Sequence, residues 1–258
     1  HCFIPVQPTL DALAEHYEES SVTYTDRAAI EIRLDQVVGP KLGWISRIFE
    51  QRYGRKALSA LDVGAGGGHF LEVCRRAGMR IEGYEISSRS RQFARDTFAI
   101  ELKGDDFLRA ARGGDGYDLI TFWGLLEYTP EPKRFLSTAR RWFDDRDGVL
   151  VVEVPRVDCV STVTQKGSPQ WVARHMDPTS HMNVFSDASL ATALLSTGFR
   201  PIGAWYFGMD AYELLIQLAL KADDAAFVRR MADVIPPLQA SFDAGRSCDD
   251  IVIAAVPV

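Results

Sequence analysis

The stretch "LDVGAGGGHF", Leu61 to Phe70, decides how this chain is read. Four glycines, Gly64, Gly66, Gly67 and Gly68, fall within five consecutive positions, between an apolar run and a segment of helical spacing. Strand, bare turn, helix is the arrangement in which main chain approaches a nucleotide-like ligand, because glycine has no side chain to hold the ligand off and takes positive φ without strain. Two ligand classes use it. A dinucleotide fold wants GxGxxG with a pyrophosphate on the helix N-terminus, but counting from Gly64 and Gly66 the third glycine would fall at His69. The spacing present is D-x-G-x-G-x-G, written by Asp62, Gly64, Gly66 and Gly68.

Outward from that turn, short apolar runs alternate with helical periodicity, which argues an α/β architecture. "ALSALDV", "RIEGYEI", "AIELKG", "YDLITFW" and "GVLVVEVP" read as five strands in succession; "FRPIGAWYF" and "DDIVIAAVPV" follow as a sixth and a last. A long helix is expected from about Asp26 to Tyr53, kinked at Gly39 and Pro40. Another begins at "YTPEPKRF", with Thr129 as cap and Pro130 in the first turn. A third begins at "FSDASLATALLSTGF", where Ser186 caps, Phe185 packs on Leu190, and Gly198 stops the helix. Thr9 is an expected cap for a short helix carrying Leu10, Leu13 and Tyr17. From Asp210 to about Asp243 the pattern is helical again, interrupted by Pro236 and Pro237. We therefore divide the chain into an N-terminal helical lid, 1–55, and a core, 56–258, that includes a helical insertion at about 209–246.

Composition narrows the function. The 258 residues are 47% hydrophobic and carry a formal charge of -6, with basic residues scattered, so no footprint for a phosphate backbone exists and nucleic acid is not an expected partner. No apolar stretch reaches membrane-span length and the start lacks the order of a signal peptide, so the expected location is cytoplasmic, away from membranes. Cys2, Cys74, Cys159 and Cys248 lie far apart and are expected as reduced thiols; no metal site is expected. His at position 1 suggests a natural start upstream. The apolar faces of the late helices could serve a homodimer.

Further signals follow the glycine turn in order. Glu85, closing the second strand in "GYEIS" beside Ile86, can accept hydrogen bonds from both hydroxyls of a ribose, or can be a plain helix N-terminal acid. In "KGDDF", Asp105 or Asp106 could accept from an adenine amino group while Phe107 adds an apolar face. "FWGLLEYTPEPKRFL" begins with Phe122 and Trp123 and sets Glu127 and Tyr128 before a helix. With "VVEVPR" and "HMNVFSDASLATALLSTGF" downstream, the series from Leu58 to about Phe207 resembles the class I S-adenosylmethionine-dependent methyltransferases of small-molecule type.

The resemblance implies a Rossmann-like seven-stranded sheet of order 3-2-1-4-5-7-6, last strand antiparallel, helices on both faces, and S-adenosyl-L-methionine over the strand ends. It assigns the cofactor to the Asp62, Gly64, Ala65, Gly66, Gly68 turn, to Glu85 with Ile86, to Asp105, Asp106 and Phe107, and to Phe122 and Trp123. Tyr24, in the front region, could reach the methionine carboxylate. Methyl displacement from a sulfonium needs an aligned nucleophile more than protein covalency, and where that nucleophile is a hydroxyl a base helps. Candidate bases are His181, His175, Glu127 and Tyr128, with His181 leading. Tyr128 stands where many relatives carry histidine. The long segment after "VVEVP" reads as an acceptor-binding insertion, with Trp171 for stacking and Arg174 or Lys166 for an anionic group. The acceptor is expected to be a small molecule, a sugar-like or polyketide-like hydroxyl; C- or N-methylation, nicotinamide-dependent oxidoreduction and a non-catalytic adenosylmethionine-binding subunit are the rivals.

Overall fold

A computed structural model describes residues 2–3, 26–110, 116–143, 147–166, 173–177 and 181–258. Six strands form one sheet: β1 (Ser59–Val63), β2 (Arg80–Tyr84), β3 (Leu119–Trp123), β4 (Val149–Pro155), β5 (Phe199–Phe207) and β6 (Asp250–Pro257), in spatial order β2-β1-β3-β4-β6-β5. β2, β1, β3 and β4 run parallel, and β6 is antiparallel to both β4 and β5. This is the expected order with one strand missing. The segment "AIELKG" gives only a parallel bridge from Lys103 to Tyr84, its N–H on Gly83 O and its carbonyl on Glu85 N, both at 2.9 Å. Glu101 and Lys103 flank this edge exposed, and Asp106 turns the chain away three residues on by accepting the Leu108 N–H, so no ladder extends.

The strands read as continuous apolar runs because both faces of the sheet are covered. Along β4, Leu150, Val152 and Val154 face one layer while Val149 and Val151 face the other. The first layer holds α5 (Pro132–Phe143) and α7 (Asp187–Ser196), with Leu136, Phe143, Leu190 and Leu194 fully buried against Ile120 and Ile253. On the opposite face lie α2 (Gly39–Tyr53) and α3 (His69–Arg76), where Ile45 and Phe49 are fully buried against Ala60, Val149 and Val252. Each such side chain contributes about 1.5–3 kcal/mol. The Gly39–Tyr53 stretch of the front region is therefore a core layer. Outside it, α1 (Arg27–Arg33), α3 and α4 (Ser88–Phe98) share a third cluster around Leu71 and Ala94.

Helix ends follow local chemistry. Asp26 caps α1 by accepting the Ala29 N–H at 3.0 Å. Between α1 and α2 the helix widens to a π turn over Leu34–Val38, closed by the Gly39 N–H on Leu34 O. Pro40 has no N–H to offer and its ring crowds the preceding turn, so the looser spacing accommodates the kink expected there. Ser186 and Ser189 form a reciprocal capping box at the start of α7, and Gly198 follows its end with φ +83°. The helix expected from Pro130 starts instead at Pro132: Thr129 Oγ1 accepts the Glu131 N–H in a preceding turn, and the second proline takes the first helical position. A short helix, α6 (Val160–Lys166), precedes α7, and three further helices, α8 (Asp210–Lys221), α9 (Phe227–Arg230) and α10 (Ile235–Ala244), form the late block. Pro236 and Pro237 sit in the first turn of α10. The expected cap Thr9, its helix, Tyr24 and Trp171 lie outside the described residues, as does the side chain of Lys166. Cys2–Phe3 pair antiparallel with Asn183–Val184. All four cysteines are free. Among the described residues no helix is long and apolar enough to cross a membrane.

Candidate cofactor and acceptor site

The glycine turn leaves β1 at the carboxyl end of the parallel strands, the place where open α/β sheets take ligands. Gly64, Gly66 and Gly68 have φ of +71°, +51° and +77°, a region that favours glycine. They serve different ends. A Cβ on Gly67 would meet the Phe93 ring at 2.7 Å, and one on Gly68 would meet Ala94 at 3.2 Å, so both let the turn pack on α4. A Cβ on Gly66 would meet nothing within 4 Å: here the main chain borders open space. The turn is pinned by the Gly64 and Ala65 N–H groups, both on Tyr84 O, at 2.9 and 3.0 Å.

Glu85 closes the other side. Its two carboxylate oxygens accept the Gly66 N–H at 2.7 Å and the Ser87 N–H at 2.8 Å, which leaves each oxygen a further lone pair. Burial raises its pKa, and the two N–H donors oppose that shift. Ile86, next in sequence, is half exposed. Arg91 Nη1 donates to the carbonyls of Glu85 and Ile86 at 2.8 and 2.7 Å, fixing this edge, a role that no spacing in the sequence marks. Asp62 is buried and accepts the Thr121 hydroxyl at 2.7 Å; burial pushes its pKa up to about 7. It holds β1 to β3 beneath the turn. Both loop acids are exposed, but Asp106 is engaged in its own turn by the Leu108 N–H at 2.9 Å and by Arg109 at 3.5 Å.

Two expected cofactor residues stand elsewhere. Phe107 and Phe122 are buried, their rings 6.1 Å apart in an aromatic cluster with Phe135, so neither ring faces the cleft and only main chain remains for a ligand. Trp123 packs on Phe70 at 4.9 Å and lies under the Lys41 ammonium at 4.7 Å, while its Nε1 is buried without a partner among the described residues. Lys41 also pairs with Glu153 at the end of β4.

On the candidate acceptor side, Glu127, Tyr128 and His181 come together. The Met182 N–H donates to Glu127 O at 2.8 Å, the Asn183 amide donates to Thr129 O at 2.7 Å, and the His181 and Tyr128 rings stack 5.0 Å apart. Burial lowers the pKa of His181, so its imidazole is neutral around pH 7 and can accept a proton. Burial raises Tyr128 to about 12. Glu127 is buried, with Oε2 unpartnered among the described residues, and burial raises its pKa well above the carboxylate range. Burial thus disfavours the charged form that a base would offer. His175 is also corrected as a base: it is fully buried, and its Nε2 lies 2.7 Å from Thr162 Oγ1, so no acceptor can reach it directly. Arg174, expected to meet an anionic acceptor, is committed to Asp249 at 2.6 Å and Glu213 at 3.3 Å. These partners lie 75 and 39 residues downstream, beyond any motif spacing.

Known proteins sharpen this picture. A family model described as a methyltransferase domain matches residues 40–203. The ubiquinone biosynthesis O-methyltransferase of Pectobacterium carotovorum is 31% identical over 107 residues, which cover 39% of this chain and 44% of that protein. The chain thus spans about 44% of the length of that curated relative. Among solved structures, the magnesium protoporphyrin IX methyltransferase of Synechocystis, crystallised with S-adenosylhomocysteine, superposes with a TM-score of 0.59 at 13% identity, over 96% of this chain and 100% of that one. The Burkholderia thailandensis 1,6-didemethyltoxoflavin-N1-methyltransferase, bound to its substrate and S-adenosylhomocysteine, gives 0.56 at 14% identity, over 99% of this chain and 95% of that one. At such identities the structures speak to the fold, and they share it. With the family model spanning well over half of the residues, the chain belongs to the methyltransferase-domain family.

Proposed function

We propose that this chain binds S-adenosyl-L-methionine between the Gly64–Gly68 turn and Glu85 and transfers a methyl group to a small-molecule acceptor, with a hydroxyl favoured as the receiving group. One observation carries the reading: glycine main chain at Gly66 borders open space while its N–H is held by a carboxylate that keeps lone pairs for a sugar diol. When bound, the cofactor supplies a methyl group on a positively charged sulfur. Glu85 would accept from the ribose hydroxyls, and Ile86 would lend the adenine an apolar face. Asp105, rather than the committed Asp106, would accept from the adenine amino group. Asp62 acts beneath the turn as a positioning group.

His181 would take the proton of an acceptor hydroxyl, oriented by its stack on Tyr128. Cys2–Phe3, which pair with Asn183–Val184, would close over the acceptor side next to His181. N-methylation is the second reading, because the buried Glu127 Oε2 has no hydrogen-bond partner among the described residues and could accept from an amine N–H.

Calorimetry with S-adenosylmethionine and S-adenosylhomocysteine tests the cofactor site. Wild-type chain should bind both, and Glu85→Ala should weaken binding at least tenfold while remaining folded by circular dichroism. Unchanged affinity in the variant would displace the ribose from Glu85, and binding of a nicotinamide dinucleotide in its stead would overturn the reaction class. A panel of hydroxyl and amine acceptors then separates the two methylation readings.

A further inference from the structure

Behind the acceptor side, three elements converge on a buried spot: the short turn Arg174–Met176, α8, and the residue just before β6. A ring nitrogen of His175, a carboxylate oxygen of Glu213 and one of Asp249 lie there within 4.8 Å of one another. His175 and Asp249 are fully buried. Two atoms of these side chains, His175 Nδ1 and Glu213 Oε2, are buried with no hydrogen-bond partner among the described residues. Unpaired buried polar atoms cost about 1–3 kcal/mol each, so native chains rarely keep two together without a ligand to meet them.

The surroundings sharpen the point. His175 Nε2 is 2.7 Å from Thr162 Oγ1 and 3.3 Å from Cys159 Sγ. An Nε2–H donating to Thr162 leaves Nδ1 as a bare lone pair, the tautomer fixed from behind as metal-bound imidazoles are. Asp249 is held by the Met209 N–H at 2.9 Å, and the neighbouring Asp210 by the Ser161 N–H and hydroxyl at 2.9 and 2.7 Å, so the walls are already ordered. Among the described residues the cation in contact is Arg174, half exposed, which reaches Asp249 Oδ2 and Glu213 Oε1, the oxygens other than the unpaired one.

We propose that His175, Glu213 and Asp249 form a site for one divalent transition-series cation, with Zn2+ as the leading ion. Imidazole with two carboxylates suits Zn2+, whereas Mg2+ and Ca2+ prefer oxygen alone. Metal–ligand bonds of about 2.0–2.2 Å place two ligand atoms roughly 3–4 Å apart, so side-chain adjustments of about an ångström close the triad. An ion there would fasten the Arg174–Met176 turn to α8 and β6. His181 hangs from this turn through its N–H on Asp177 O at 2.9 Å, so the site would steady the acceptor side without touching the reacting atoms.

The test uses the full chain stripped with chelator, then titrated with Zn2+ by calorimetry and with Co2+ by visible absorption. One ion per chain at micromolar affinity or tighter, weakened at least tenfold in both His175→Ala and Glu213→Gln, is the expected result. Arg174→Gln should tighten binding several-fold, since the guanidinium no longer competes for the carboxylates. No uptake by the wild type, uptake unchanged in both variants, or a Co2+ spectrum dominated by thiolate charge transfer would overturn the proposal. If His175→Ala does not fold, Glu213→Gln decides, because Glu213 caps no helix and lies at the edge of the cluster.

Discussion

The glycine turn and the acceptor side sit at the same end of the sheet but are built in opposite ways. The turn is local: Asp62 to Gly68 supply the backbone, and Glu85, 19 residues from Gly66, supplies the one carboxylate that closes it. The acceptor side is assembled from afar. Tyr128 meets His181, Lys41 meets Glu153 across 112 positions, and Arg174 meets Asp249 across 75. A local device can be recognised by spacing, because its geometry is set by a few consecutive φ angles. A device of distant partners depends on topology, and its residues carry no signature until the strands are placed.

That contrast can be broken most sharply at His181. His181→Ala should lower turnover about 10²–10⁴-fold with cofactor affinity unchanged, as removal of a general base does. Equal losses of turnover and cofactor affinity would mean that the two regions are one unit. Next in size is the pH response of Asp62. Its folded pKa, raised to about 7 by burial, lies above the unfolded value, so the folded chain holds the proton more tightly. Its contribution is fully present below about pH 4 and fades as pH rises to about 7, by roughly 3–4 kcal/mol at most. Denaturant unfolding of the wild type at pH 5 and pH 8 should differ by about 2–3 kcal/mol of that drift, absent in Asp62→Asn.

A smaller effect separates two glycines. Gly66→Ala adds a methyl in open space at positive φ, costing about 1 kcal/mol in stability but narrowing the cleft. Gly83→Ala drives a methyl against Leu102 at 2.7 Å and against Leu71, an overpacking cost of about 1–3 kcal/mol. Cofactor affinity should fall more in Gly66→Ala and melting temperature more in Gly83→Ala. The reverse pattern would remove Gly66 from the ligand face.

The sheet was largely legible because strands buried on both faces are long apolar runs, and each such run paired where its residues suggested. The edge run "AIELKG" misled, since Leu102 is buried beneath α4 while its neighbours are exposed, a pattern that a bridge satisfies as well as a strand. At the cofactor site the residue types and spacing carried the reading, but they could not tell that the Phe107 and Phe122 rings turn into the core. The side of the ring that faces a ligand is decided by tertiary packing. The same holds for His175, whose burial is set by Thr162, Cys159 and a strand at the far end of the chain.

The π turn at Leu34–Val38 has a bearing on how such enzymes diversify. One additional residue in a helical turn rotates everything beyond it by about 100°. In this chain that rotation aims Lys41 at Trp123 and Glu153. Shortening the helix by a single residue there would swing a different side chain over the strand ends, a route to altered acceptor choice that leaves every strand in register.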